Sequence, residues 1–118
     1  MLYAEVLLNL FDDLPGHLPA ERIDVLISAP GVRVERIVST GHVTPPGEWL
    51  EQDGDEWVVA LRGRARLRIE DEATPLDLRP GHHVLLRAHV RHRVEWTDDL
   101  GPTVWLAVHY RARDDATG

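Results

Sequence analysis

Cysteine is absent from this 118-residue chain, and so is lysine. Without cysteine there is no disulfide framework and no thiolate metal site. The lack suits a reducing compartment, so the expected location is cytoplasmic. Without lysine, Schiff-base chemistry is excluded. All thirteen Lys and Arg positions are Arg, which we attribute to genome composition. The formal net charge is −7 and no basic stripe offsets it, so no nucleic-acid partner is expected. No apolar run approaches the length of a membrane span, and no membrane association is expected. The opening MLYAEVLLNLFDDLP carries acids in place of a basic leader, unlike a signal peptide. These exclusions leave one domain over residues 1–118, long enough to bury a proper core.

Patterning then divides the chain. LYAEVLLNLF (2–11) suits a strand or a short helix. In LPGHLPAERIDVLISAPG (14–31), Pro19 suits a first helical position, Glu21 a first turn, and Pro30-Gly31 a stop. The expectation is an N-terminal arm and short helix within residues 1–30. After Gly31 the apolar residues recur at every second position. VRVERIVS (32–39), EWVVALRG (56–63), RARLRIE (64–70), TPLDLRPG (74–81), HHVLLRA (82–88), HRVEWT (92–97) and PTVWLAVHY (102–110) predict short strands. Glycine and proline turns separate them, with a hairpin expected around Arg62-Gly63. TGHVTPPGEWLEQDGD (40–55) is a long connection, and 111–118 is a polar, frayed tail. Such spacing predicts an all-β antiparallel barrel or sandwich, with the core barrel over about residues 32–110.

Alternation assigns the faces. Ala65, Leu67 and Ile69 share an inward face, leaving Arg64, Arg66 and Arg68 solvated. His92, Val94 and Trp96 share the apolar face of their strand. Glu56, Val58 and Ala60 lie opposite Trp57, Val59 and Leu61, and both faces are apolar, so this strand is expected to be covered on both sides. Glu56 therefore opens a buried strand. A carboxylate there needs an arginine, a water network or a metal ion as partner, because desolvating a charge is expensive. Arg93 and Arg62 are the candidate arginines.

The spacing resembles that of the cupin family. Glu56 and Gly63, with six residues between them, resemble the end of the family's first motif, which opens with a His-x-His pair. Gly81, then Arg87-Ala88-His89, then His92 resembles the second motif in spacing. LRPGHHVLLRAHVRHRV and the longer GHVTPPGEWLEQDGDEWVVALRG resemble small stand-alone bacterial cupins. The departures are specific. Leu50 and Gln52, or Trp49 and Glu51 at the longer spacing, stand at the His-x-His positions. Arg87, His89 and Trp96 replace the second motif's proline, glycine and asparagine.

The resemblance implies a cupin-type barrel (double-stranded β-helix, or jelly roll), a homodimer and a divalent metal held by Glu56 and His92. Gln52, His42 and His89 are the candidates to complete the shell. Imidazole, carboxylate and amide oxygen would suit Fe, Mn, Ni, Co or Zn. An open coordination position would permit chemistry on a small polar organic ligand. The alternative is a metal-free ligand-binding or structural homodimeric cupin without catalysis. The apolar run Leu2, Val6, Leu7, Leu8, Leu10 and Phe11 adds its own support for a homodimer, since large apolar patches mark interfaces. No serine has a nucleophile signature, and His17, His83 and His109 have no nameable role from sequence.

Overall fold

The computed structural model describes residues 7–111. Eight strands run along them: β1 (Arg22–Ala29), β2 (Val32–Ser39), β3 (Asp55–Arg62), β4 (Ala65–Ile69), β5 (Leu76–Leu78), β6 (His83–Leu86), β7 (His92–Thr97) and β8 (Thr103–Tyr110). A five-stranded sheet, β1-β2-β8-β3-β6, is joined by a three-stranded sheet, β5-β4-β7, with antiparallel pairing throughout. The core lies between the sheets. Val58, Ala60, Leu86, Trp105 and Ala107 come from the larger one and Ala65, Leu67 and Leu78 from the smaller. The inward set expected on β4 is therefore the observed one. On β3 the opposite face holds buried Val59 and half-buried Trp57 and Leu61. The result is the antiparallel jelly-roll barrel.

The N-terminal helix is not formed. Its residues make β1, which pairs with β2 from Arg22↔Val38 to Ala29↔Val32. Ile23, Val25 and Ile27 are β-branched and favour a pleated surface over a helix. Pro30-Gly31 turns a β-hairpin instead of stopping a helix, with Gly31 at φ 77°. Residues 7–11, part of the run 2–11, form neither strand nor helix, and residues 10–13 make a turn. Buried Arg36 ties that turn down. Its Nη1 donates to the carbonyls of Leu10 at 3.1 Å and Asp12 at 2.9 Å, and its Nη2 to Asp24 Oδ2 at 2.6 Å. Residues 1–6, with Leu2 and Val6, and tail residues 112–118 lie outside the described residues. Among the described residues no helix is long and apolar enough to cross a membrane.

Two further expectations are corrected. β3 and β4 do not form a hairpin: β3 pairs with β6 and β8, β4 with β5 and β7. Arg62-Gly63 is a corner where the chain changes sheets. A bulge beside it breaks the register between Ala60 and Arg62. Gly63, at φ 85°, passes so close to Thr103 that a Cβ would lie 2.7 Å from the Thr103 Cα. Trp96 does not share the inward face with His92 and Val94. The β4–β7 register slips, so that Leu67 opposes Val94 but Arg66 opposes Trp96. The extra residue, Glu95, turns Trp96 outward, where the Arg66 guanidinium lies 5.8 Å from its ring centroid. Thr97 is buried at the end of the strand instead.

Candidate functional site

Alternation on four strands directs a polar set into one cavity of about 430 Å³. Ile37, Val58, Leu67, Leu86, Val94 and Trp105 supply its apolar lining. Its polar wall is built from Glu35 on β2, Glu56 on β3, His92 on β7, His109 on β8 and Gln52 from the loop before β3. Glu21, Arg33 and Glu51 also line it. Backbone pairing sets the heights of these groups. Glu56 lies opposite His109 in the β3–β8 ladder. Leu50 and His92 exchange both backbone hydrogen bonds, at 2.7 and 3.0 Å, which brings the loop across β7 and delivers Gln52 to the wall. Leu50 and Gln52 both line the cavity, whereas Trp49 lies under Arg91, 5.9 Å from its guanidinium.

The acids and imidazoles alternate across the wall. His92 Nε2 is 3.8 Å from Glu56 Oε1, and His109 Nε2 is 3.9 Å from Glu56 Oε2. His109 Nε2 is 2.9 Å from Glu35 Oε1, and Arg33 Nε donates to Glu35 Oε2 at 2.9 Å. Only the Glu35 contacts are hydrogen bonds. Glu56 Oε1 accepts one, from the neutral amide of Gln52 at 2.9 Å. The imidazole tautomers follow from their partners. The Val90 carbonyl 3.1 Å from His92 Nδ1 can only accept, so Nδ1 carries a proton, and Nε2 is the ring nitrogen turned toward Glu56. By the same argument His109 donates through Nε2 to Glu35, and its buried Nδ1 has no partner among the described residues.

Burial pushes the Glu56 carboxyl above its ordinary range, because desolvation outweighs the opposing fields of His109 and His92, and the nearby Glu35 adds to the rise. The candidate arginines do not answer it. Arg93 donates to the carbonyls of Thr44, Pro45 and Glu48, and Arg62 is exposed at the sheet corner.

Of the five residues singled out from the sequence, the fold brings together Glu56, His92 and Gln52. His42 is committed elsewhere: its Nδ1 accepts from the Thr40 N–H at 2.9 Å and its Nε2 faces the Leu18 carbonyl at 3.1 Å. His89 is exposed and reaches Glu51 Oε1 at 3.3 Å. Its backbone lies at φ 67°, the left-handed conformation that favours glycine, which explains why the resembling motif has glycine there. Its N–H donates to the Gln52 carbonyl at 2.8 Å and so steadies the loop that carries Gln52. Sequence reasoning missed Glu35 and His109. Their signal is alternation: Glu35 shares a strand face with Ile37, and His109 shares one with Trp105 and Ala107.

A divalent ion can be tested against this donor set. Glu56 and His92 Nε2 are suitable donors, but Gln52 presents its N–H side and His109 Nε2 is taken by Glu35. Among the described residues no group of three or more His, Asp or Glu side chains is arranged to hold a metal ion. The protein donors present make half a shell.

Comparison with known proteins agrees with this architecture. The family model for the Cupin domain matches residues 37–109. A crystal structure from Ralstonia eutropha JMP134, provisionally named a mannose-6-phosphate isomerase, is 44% identical. The match covers 92% of this chain and 100% of that one, with a TM-score of 0.89. An RmlC-like cupin family protein of double-stranded β-helix fold from Methanocaldococcus jannaschii matches at 15% identity, TM-score 0.69, over 100% of both chains. A cupin superfamily protein from Desulfitobacterium hafniense DCB-2 matches at 18% identity, TM-score 0.67, over 81% of this chain and 82% of that one. Among curated proteins none matches.

Proposed function

The chain belongs to the cupin family, and from that premise we propose that its barrel binds a small polar organic molecule between Glu56 and His92. One observation carries the reading. Glu56 Oε1 and His92 Nε2, with no hydrogen bond between them, face each other across 3.8 Å at the wall of a cavity of ligand size. Such a gap calls for a guest that supplies hydrogen-bond donors or positive charge. The chemistry in reach is proton transfer. A carboxyl raised by burial takes and returns a proton more readily near neutrality than an ordinary one. The Ralstonia neighbour's name, an isomerase of a sugar phosphate, is consistent with chemistry on a small polar organic molecule.

A second reading has its own support. The Val90 carbonyl holds His92 with Nε2 free, an arrangement typical of a metal-ligating imidazole. In that reading Glu56 and His92 grip a divalent Fe, Mn, Ni, Co or Zn ion, a turned Gln52 adds its amide oxygen, and the ligand completes the shell. Metal analysis of protein purified without an affinity tag, followed by titration with these ions, separates the two. Stoichiometric metal lost in both Glu56→Gln and His92→Ala, and retained in His17→Ala, establishes the metal site. Absence of binding and a melting temperature unmoved by chelator leaves the metal-free pocket. Ligand binding unaffected by Glu56→Gln and by His92→Ala would sink both readings.

We also propose a homodimer. Among the described residues β1 pairs only with β2, none of them covers its far edge, and Ile23, Val25, Leu26 and Ile27 are exposed on β1. A long apolar edge of this kind is a template for pairing with another chain.

A further inference from the structure

We infer that the ligand presents hydrogen-bond donors, hydroxyl or ammonium, and carries no phosphate or other anionic group into the barrel. This rests on the binding reading above and names its ligand class. Four carboxylates, Glu21, Glu35, Glu51 and Glu56, line the cavity, against one guanidinium, Arg33. That guanidinium donates through Nε to Glu35 Oε2 at 2.9 Å, so part of its charge is already shared with a carboxylate. His109 spends its N–H on the same carboxylate. Even with both imidazoles protonated, their charges would only balance Glu35 and Glu56. Glu56 Oε2 and His92 Nε2 meanwhile accept no hydrogen bond from the described residues. Unused acceptors beside an excess of acid select a donor-bearing guest, and an anion would meet like charge. An open groove of about 530 Å³ shares Arg33, Gln52 and His109 with this cavity and adds Arg111, but Arg111 Nη2 stands 3.9 Å from Asp53 Oδ2. The Ralstonia neighbour's name mentions a phosphorylated sugar, so this chain's ligand class departs from that name.

Mannose, mannosamine and mannose 6-phosphate share a skeleton and differ in charge, which makes them a direct probe. Calorimetric titration of the metal-stripped and the metal-loaded full chain should show mannosamine and mannose binding, and mannose 6-phosphate roughly a hundredfold weaker. Relative affinity of the two non-anionic probes tells which donor the site prefers. Glu35→Gln releases Arg33 and His109 from their carboxylate, so the ratio of mannose to mannose 6-phosphate affinity should fall by about tenfold. A merely structural role for Glu35 would weaken all three probes together. Mannose 6-phosphate binding tightest, or none of the three binding, overturns the inference. The wider binding reading stands in either case if another small polar molecule binds and is lost in Glu56→Gln.

Discussion

Replacing Glu56 by Gln should make the ligand-free protein more stable at neutral pH, although it removes the group on which binding is proposed to depend. The side chain is 11% exposed, and its hydrogen bond comes from a neutral amide. Taking a carboxylate out of water costs several kcal/mol even after relaxation. The groups facing it are His92 on β7, His109 on β8, Glu35 and Arg33 on β2 and Gln52 from the loop. At an effective dielectric constant of about 20, two unit charges about 4 Å apart interact by about 4 kcal/mol. The imidazoles deliver that only when protonated, and Glu35 works against them. Desolvation wins, and the carboxyl rises above the ordinary 4.5. The native state then holds this proton more tightly than the unfolded chain does. Stability contributed by Glu56 is present below 4.5 and is lost as pH climbs through the raised folded value.

An amide of the same shape carries no such cost and can still accept from Gln52. Above about pH 7 we expect Glu56→Gln to gain about 1–3 kcal/mol, seen as a rise in melting temperature of roughly 3–12 °C. Near pH 4 the two proteins should melt together, within about 0.5 kcal/mol. Urea denaturation across this range, after chelation of any metal, measures the gap. A variant less stable than the parent at neutral pH, or a gap of equal size at both ends, would refute the reasoning and mean that Glu56 is compensated in the native state.

Leu67 is 3% exposed in the core, so Leu67→Ala should lower stability by about 2–5 kcal/mol. Its neighbour Arg66 meets only Asp77 and the Trp96 ring at the surface, and Arg66→Ala should cost about 1 kcal/mol or less. Equal losses in denaturant would show the β4 faces reversed. The homodimer should appear in light scattering of the full chain at tens of micromolar. Val25→Lys, at a position 56% exposed on β1, should give a folded monomer, while a full-length parent that is monomeric would refute the proposal.

Seven of the eight strands were legible as short alternating or apolar runs set between glycine and proline turns. The eighth, β1, was hidden by punctuation. Pro19, Glu21 and Pro30-Gly31 suit a helix as well as a hairpin, and only the β-branched Ile23, Val25 and Ile27 argue otherwise. Facing was legible up to each bulge and no further. His92 and Val94 are placed correctly by counting, and Trp96 is not, because one inserted residue reverses the parity of all that follow it. No propensity of Glu95 announces that insertion, since it comes from the curvature two sheets need to close over one core.

The site divides along the same line. Glu56, Gln52 and His92 were within reach because motif spacing measures distance along strands that are each continuous. His42 and His89 were placed near them by proximity in sequence alone, and the loops send both elsewhere. Glu35 and His109 were out of reach for the opposite reason. They lie 74 residues apart, joined by the β2–β8 ladder, and nothing local distinguishes a glutamate facing a histidine from one facing solvent. That pair changes the chemistry of the wall. Without Glu35, Arg33 and His109 would both lose the carboxylate they share. With Glu35 engaging both His109 and Arg33, the nearest positive groups are drawn to a carboxylate, and the cavity keeps acceptors for a guest that must bring its own donors.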